Sequence, residues 1–262
     1  MGRESDFYET IYSTVGTDAQ TRVRSETYDE DLGQAGWLQA SEAREFASWL
    51  GPDVATLLDV ACGSGGISTL LADALGAEVV GIDNDPHAIA AGNERGAPGC
   101  SFQVADANEP LPLNDASFDV VFSNDSVHHL RDRSAVLREW ARLLRPDGQL
   151  LFTEGLVLTG PVSNEEVRRR TFMGFFVLTP PGANEGAIEA VGLELLRAED
   201  RSDAVVEVGR RMRAARDRYR DELIAGEGAE TFQSFQDFLD VAVALAAERR
   251  LSRWMFHGRK PR

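Results

Sequence analysis

Two short apolar runs in this chain break off into residues suited to holding a nucleotide. Leu57-Leu58-Asp59-Val60 leads into Ala61-Cys62-Gly63-Ser64-Gly65-Gly66, and the run from Glu78 to Ile82 ends in Asp83 and Asn84. Glycine at 63, 65 and 66 removes the Cβ atoms that would keep a ligand off the backbone. Asp83, 18 residues beyond Gly65, offers two carboxylate oxygens to a ribose diol. A dinucleotide fingerprint, G-x-G-x-x-G, would need glycine where Ser68 stands, and no G-K-[ST] is present to hold a triphosphate. NAD and ATP both fit badly. Among the histidines, His87 and His257 stand alone and His128 and His129 are adjacent, so none share a metal-binding face. Cys62 and Cys100 lie in no C-x-x-C or Cys/His cluster, and no metal is expected.

These residues meet only if the apolar runs are strands of one sheet. From Thr56 to Glu154 short β-branched or apolar runs alternate with helical stretches, the pattern of a parallel sheet with crossover helices. Leu57 to Val60, Glu78 to Ile82, Phe102 to Ala105, Phe118 to Ser123 and Gln149 to Thr153 read as successive strands. Ile67, Leu70, Leu71, Ala74 and Leu75 form a helical stripe that stops at Gly76, and Asp85-Pro86 starts the next helix. Val136, Leu137, Trp140, Leu143 and Leu144 make another, ended by Arg145-Pro146-Asp147-Gly148. Residues 155–250 are mostly helical in pattern. There the stripes Val205, Val208, Met212, Ala215, Tyr219, Leu223 and Phe232, Phe235, Phe238, Leu239, Ala242, Leu245 predict an antiparallel pair, and Arg253 to Lys260 can close the sheet as a last strand. The expected fold is α/β, a Rossmann-like doubly wound seven-stranded sheet with helical lid additions. Residues 1–50 are expected as a lid segment, 51–155 as the nucleotide-binding core, and 156–262 as the remaining core strands with inserted helices capping a second ligand. Ligands of such sheets lie outside the carboxyl ends of the strands.

The glycine loop has company in register. Asp59, Gly63 and Gly65, Asp83, Ala105-Asp106-Ala107, Phe118-Asp119-Val120-Val121 and Leu144-Arg145-Pro146-Asp147-Gly148 follow one another between residues 56 and 155. In this the sequence resembles the class I S-adenosylmethionine-dependent methyltransferases. Ala61 departs from the family, standing where its first loop glycine usually lies. The resemblance implies S-adenosyl-L-methionine as cofactor, bound around Asp59, Ala61, Gly63, Gly65, Asp83, Asn84, Asp106, Ala107, Asn124 and Asp125. Asp83 would hold the ribose hydroxyls, Asp106 would accept from the adenine amine, and Asn124 and Asp125 lie where the family makes backbone contacts.

The C-terminal half is loosely similar to the phosphoethanolamine and sarcosine/dimethylglycine methyltransferases, which act on small molecules. In phosphobase enzymes a Tyr-His pair positions and deprotonates the acceptor, and the resemblance places that pair at Tyr28 and His129 as candidate catalytic residues. A histidine near neutral pKa suits general-base work at an acceptor N–H or O–H. The phosphate-anchoring arginine of those enzymes falls on Gly174, which carries no charge. Arg168, Arg169 and Arg170, with Glu165 and Glu166 nearby, read as a solvated helix face, and so does the cluster from Arg210 to Arg220. Trp37, His128, Phe172, Phe175 and Phe176 are then the candidate acceptor contacts. The expected function is methyl transfer to N or O of a small, fairly apolar acceptor. The alternative is an S-adenosylmethionine-binding protein without methyl transfer, through other chemistry on the same fold or as a regulatory subunit.

Composition narrows the partners. Asp plus Glu number 43 against 27 Lys plus Arg in 262 residues, a formal charge of -16. Nucleic acid and anionic membrane attract the opposite sign, so neither is an expected partner. The first residues lack a signal-peptide plan, and the apolar stretch from Phe172 to Leu178 is far short of the roughly 20 residues of a membrane helix. The expectation is a cytoplasmic monomer or homodimer with a small-molecule acceptor.

Overall fold

In the computed structural model, which describes residue 12 and residues 14–262, one seven-stranded sheet has the order β3-β2-β1-β4-β5-β7-β6. The strands are β1 (Thr56–Val60), β2 (Glu78–Asp83), β3 (Cys100–Val104), β4 (Phe118–Ser123), β5 (Leu144–Leu158), β6 (Glu194–Asp200) and β7 (Leu251–Arg259). β1 to β5 are parallel, and β7 lies antiparallel between β5 and β6. The helices are α1 (Asp18–Thr27), α2 (Ala40–Leu50), α3 (Gly66–Leu75), α4 (Pro86–Arg95), α5 (Arg133–Leu143), α6 (Asn164–Arg170), α7 (Ala183–Ala190), α8 (Ser202–Arg218), α9 (Arg220–Glu227) and α10 (Ala229–Ala247).

Local chemistry sets the boundaries that matter for the site. Gly76 ends α3 in the left-handed conformation, and the Asp85 carboxylate caps α4 by accepting from the His87 and Ala88 N–H groups. The Asp132 carboxylate caps α5 by accepting from Ala135 N–H. At Gly66 a Cβ would stand 1.7 Å from the Leu32 carbonyl oxygen, so only glycine lets the segment after α1 lie on the first turn of α3.

Strand alternation sorts the core onto two faces. Leu150, Phe152 and Phe256 join Leu137 and Trp140 of α5 and Ile188 of α7 on one side. Leu151 and Met255 join Phe46 of α2 and Leu71 of α3 on the other. Each large apolar side chain buried there contributes about 1.5–3 kcal/mol relative to exposure. A third cluster sits over the carboxyl edge, where Val23 of α1, Tyr28 and Trp37 pack against Val208 and Met212 of α8 and Phe238 of α10. α8 and α10 run antiparallel, Gly209 lying beside Val243 and Arg213 beside Asp240.

Three sequence expectations need correcting. β5 extends well past Gln149 to Thr153 at both ends because β4 pairs with one edge and β7 with the other. β6 lies within the stretch read as helical, where Glu-Leu-Leu-Arg-Ala-Glu-Asp shows neither β-branched residues nor alternation and is extended by pairing with β7. The stripe from Val205 to Leu223 is two helices, broken at Tyr219. Among the described residues no helix is long and apolar enough to cross a membrane.

Candidate functional site

β1 leaves the sheet through a loop wound in the left-handed region, with φ of +58° at Ala61, +56° at Gly63 and +74° at Gly65. Ala61 holds a conformation that an L side chain adopts at some strain, which accounts physically for glycine being the family's choice there. The Asp83 carboxylate ties this loop to β2: one oxygen accepts from Gly63 N–H and the other from Asp85 N–H, both at 2.9 Å. Burial pushes the Asp83 carboxyl up, and those two N–H groups oppose the shift. Each oxygen keeps a second lone pair for a ligand hydroxyl. A Cβ on Gly63 would come 2.7 Å from the Tyr12 hydroxyl, so the loop backbone is a cradle that any side chain would fill.

Asp59 is buried and accepts from Ser68 Oγ at 2.6 Å, and burial pushes its carboxyl up to about 7. Its oxygen holds the start of α3 in place. Asn84 and Asp106 are exposed at the carboxyl ends of β2 and β3, the Asp106 carboxylate accepting from Asn108 N–H at 2.8 Å. Ala107 follows it. Asp83, Asn84, Asp106 and Ala107 thus share one edge with the glycine loop, and their donor and acceptor types fit a nucleoside.

Past β4 the chemistry changes to charge. Asp125, at φ +48°, donates its N–H to Thr153 Oγ1, and its carboxylate accepts from Trp37 N–H at 3.1 Å and from Arg253 Nε at 2.8 Å. Arg253, with 0% exposure on β7, bonds both oxygens of Glu42 at 2.9 Å through Nη1 and the Asn124 side-chain oxygen through Nη2. Burial pushes the Glu42 carboxyl up, with Arg253 opposing. The Asp125 carboxylate is therefore committed to the protein itself, and it fixes Trp37 against β4.

Beside Asp125 lies a cavity of about 70 Å³ walled by Trp37, His128, Arg170, Met173, Phe176 and Phe238. A second, of about 60 Å³, adjoins it through the shared walls Ala35, Met212 and Phe235. His128 Nδ1 lies 3.0 Å from Glu154 Oε1, and Arg133 Nη2 donates to Glu154 Oε2 at 2.7 Å. Burial would raise the Glu154 carboxyl, but the His128 ring and Arg133 outweigh it and hold Glu154 ionised. Burial drives the His128 pKa down to about 4, helped by the neighbouring His129 and Arg170 charges. His128 is thus neutral, with its Nδ1–H on Glu154 and Nε2 left as an acceptor.

His129 sits at the rim, its Nδ1 3.2 Å from the Phe175 carbonyl oxygen. The Tyr28 hydroxyl donates to the Gly36 carbonyl oxygen at 2.8 Å, and burial pushes its pKa up. Of the three phenylalanines named from sequence, the cavity wall takes only Phe176, stacked on His128 at 5.4 Å. The Val177 N–H bond to His128 O fixes an extended segment, which turns Phe175 to solvent, while Phe172 packs behind against Phe235 and Phe238. The solvated reading of the arginine runs fails at two places. Arg170 is 3% exposed and faces inward, because three consecutive helical positions cannot all face water on a helix packed against α10. Arg216 is buried on Glu227 and over Phe235.

Glu154, Arg170, Arg253 and Glu42 escaped the sequence reading. Only Glu154 carried a signal, an acid at the end of the apolar run Leu150-Leu151-Phe152. Among the described residues no group of three His, Cys, Asp or Glu could hold a metal.

Residues 58–152 match the family model described as a methyltransferase domain. The chain is 31% identical over 203 residues to the 27-O-demethylrifamycin SV methyltransferase of Amycolatopsis mediterranei, covering 71% of this chain and 74% of that one. It is 28% identical to a phosphoethanolamine N-methyltransferase of Triticum aestivum over 67% of this chain, spanning only 35% of that protein's length. The solved cyclopropane synthase MmaA2 from Mycobacterium tuberculosis superposes with a TM-score of 0.82 at 17% identity over 98% of each chain, a likeness of fold. With the glycine loop, Asp83 and the sheet order as described, the chain belongs to the class I S-adenosylmethionine-dependent methyltransferases, and S-adenosyl-L-methionine is its cofactor.

Proposed function

We propose that this enzyme transfers a methyl group to a hydroxyl oxygen of a small, mostly apolar acceptor. The observation that carries this reading is His128, a buried imidazole in the cavity wall whose Nδ1 is engaged by Glu154, which leaves Nε2 as the acceptor. Such an imidazole can take the proton of a hydroxyl, and the charge it gains is balanced by Glu154. The cofactor, when bound, supplies an electrophilic methyl on sulfonium. The chain's own work is to hold the acceptor oxygen in line, deprotonate it and exclude water, and positioning alone accounts for much of the rate in such displacements. The relative named for a 27-O-demethylated substrate supports oxygen over nitrogen.

In this reading His128 takes the base role that the family comparison placed on His129, and His129 with Tyr28 shapes the lid. Asp83 holds the ribose hydroxyls, and Asp106 and Ala107 the adenine side. Asp83→Ala is expected to weaken S-adenosylhomocysteine binding by about 1.5–3 kcal/mol, one to two decades, measured by calorimetry. Unchanged affinity would remove Asp83 from the cofactor site.

The test of the reaction is to offer matched phenols and anilines with S-adenosylmethionine, count S-adenosylhomocysteine and locate the new methyl group. Methyl ethers are expected. Methylation at nitrogen or carbon only would defeat the hydroxyl reading. Retained cofactor with no turnover on any acceptor would favour a binding protein instead.

Acid should inactivate the enzyme later than an ordinary imidazole would. His128 must be neutral to accept a proton, and with its pKa held down to about 4 it stays so as pH falls through 6.5. The acid limb of kcat/KM is therefore expected well below 6.5. Stability moves with the same group: the unfolded chain binds a proton near 6.5 and the folded one does not until about 4, so stability is full above that window and erodes as pH falls across it. An acid limb centred on 6.5 would mean that the base is a group other than His128.

A further inference from the structure

Glu154 is gripped from both ends of one short segment. Its Oε1 accepts from the Leu156 N–H at 2.9 Å and lies 3.0 Å from His128 Nδ1, while Oε2 accepts from Arg133 Nη2 at 2.7 Å. His128 precedes α5 and Arg133 begins it, so one carboxylate clips together the two ends of residues 128–133. An ionised carboxylate only accepts, and Nδ1 must therefore carry the ring proton. The other arm of the Arg133 guanidinium, Nη1, donates to the side-chain oxygen of Asn184 in the first turn of α7. Asn184 and Glu154 are both buried, so the guanidinium bridges two interior groups, one on a helix and one on the sheet.

Charge makes this bridge matter to His128. Around the pair stand His129 in the next position, Arg170 of α6, and Asp125, whose carboxylate is committed to Arg253. Glu154 carries a single negative charge, and Arg133, a permanent cation, already draws on it. A proton added to His128 puts a second cation on the same carboxylate, with Arg170 also acting on the ring, in an interior where charges are poorly screened. The imidazolium therefore forms at a cost and readily gives its proton back, as a base must before the next turnover. Without the guanidinium the carboxylate serves His128 alone, and the pair holds a proton more tightly, whichever of the two carries it.

We infer that Arg133 is a positioning residue of the methyl-transfer site: by taking Oε2 of Glu154 and anchoring itself on Asn184, it reserves Oε1 for the His128 Nδ1–H and keeps that imidazole able to receive a proton. This rests on the reading of His128 as the base and adds the group that maintains it. Arginine suits the task because its planar fork reaches Asn184 and Glu154 at once, where a lysine ammonium supplies the charge from a single nitrogen.

The test follows the isotope-labelled histidine ring nitrogens by NMR across pH in the S-adenosylhomocysteine complex, the His128 signal being identified by its loss in His128→Asn. Native His128 is expected to keep its Nδ1–H tautomer and to titrate at about 4. Arg133→Met is expected to move that titration about 1–3 higher on the pH scale, the range for losing a charge within roughly 4–6 Å, and the acid limb of kcat/KM rises with it. Arg133→Lys should restore most of the native value, and Asn184→Ala, which removes the anchor of the guanidinium, should give a smaller rise. His257 is the internal control, since its titration is set by burial and by Arg197 and Arg259 and should stay in place. A His128 titration unmoved or lowered in Arg133→Met, a rise shared equally by His257, or an Arg133→Lys no better than Arg133→Met overturns the inference. Should Arg133→Met fail to fold and bind S-adenosylhomocysteine, Asn184→Ala decides, and no rise there overturns it equally. The base reading fails separately, if the His128 titration rises in Arg133→Met and the acid limb does not follow.

Discussion

Glu154→Gln is expected to lower kcat by roughly 10²–10⁴-fold, the range associated with losing a general base, while leaving S-adenosylhomocysteine affinity unchanged. Glu154 accepts His128 Nδ1–H, Arg133 Nη2–H and Leu156 N–H, and it is fully buried. Replacing one carboxylate oxygen by an amide lets the side chain donate to His128 Nδ1, which moves the ring proton to Nε2. The Nε2 lone pair that the proposed base needs is then gone, although the ring stays in place. His128→Asn should fall in the same range, and the double variant should lose little more than either single one, because the two act as a unit. His129→Ala serves as the contrast. If its loss equals that of His128→Asn and Glu154→Gln is mild, the base lies at the rim. Steady-state release of S-adenosylhomocysteine with a hydroxylated acceptor reads all four.

The largest effect on stability is expected from Arg253→Met, about 3–5 kcal/mol by denaturant unfolding. Arg253 is a single cation between two buried anions, with Nε on Asp125 and Nη1 on both oxygens of Glu42. Methionine fills much of the volume, so the loss reports the stranded carboxylates more than an empty space. Adding Glu42→Gln and Asp125→Asn to Arg253→Met should recover part of it, since removing a whole buried ion network can be nearly neutral whereas removing one member is not. A cost below about 1 kcal/mol for the single variant would mean that water reaches Asp125 and Glu42 once the guanidinium is gone.

How far the sequence spoke depends on how local each signal is. The Asp83 position and the glycine loop were legible because strand, turn and helix follow one another within a few dozen residues, each with its own cap or period. β7 was legible from Trp254, Met255 and Phe256. β6 was not, since its residues become a strand only through pairing with β7. Arg170 illustrates the second limit. Three arginines in a row look solvated, and nothing within α6 tells which of them turns inward; that is decided by Trp37 and Phe238, which are 133 and 68 residues away. Arg253 is of the same kind, an interior cation defined by Glu42 and Asp125 from distant parts of the chain. His128 and His129 were found as a pair, but what distinguishes them is Glu154, which only the sheet brings to His128.

The position of β7 orders events at the ribosome. It follows β5 and β6 in sequence yet lies inside the sheet, between them. Until it emerges, β5 has an open edge and β6 has no partner, so the nascent chain exposes pairing surface that other chains could capture. β7 also carries Arg253, the cation that Asp125 and Glu42 await. A chain stalled before residue 251 would hold its glycine loop and Asp83 but neither a closed sheet nor a balanced acceptor side. Competence to bind the nucleoside can thus precede competence to enclose an acceptor during synthesis, and completion of the second waits on β7.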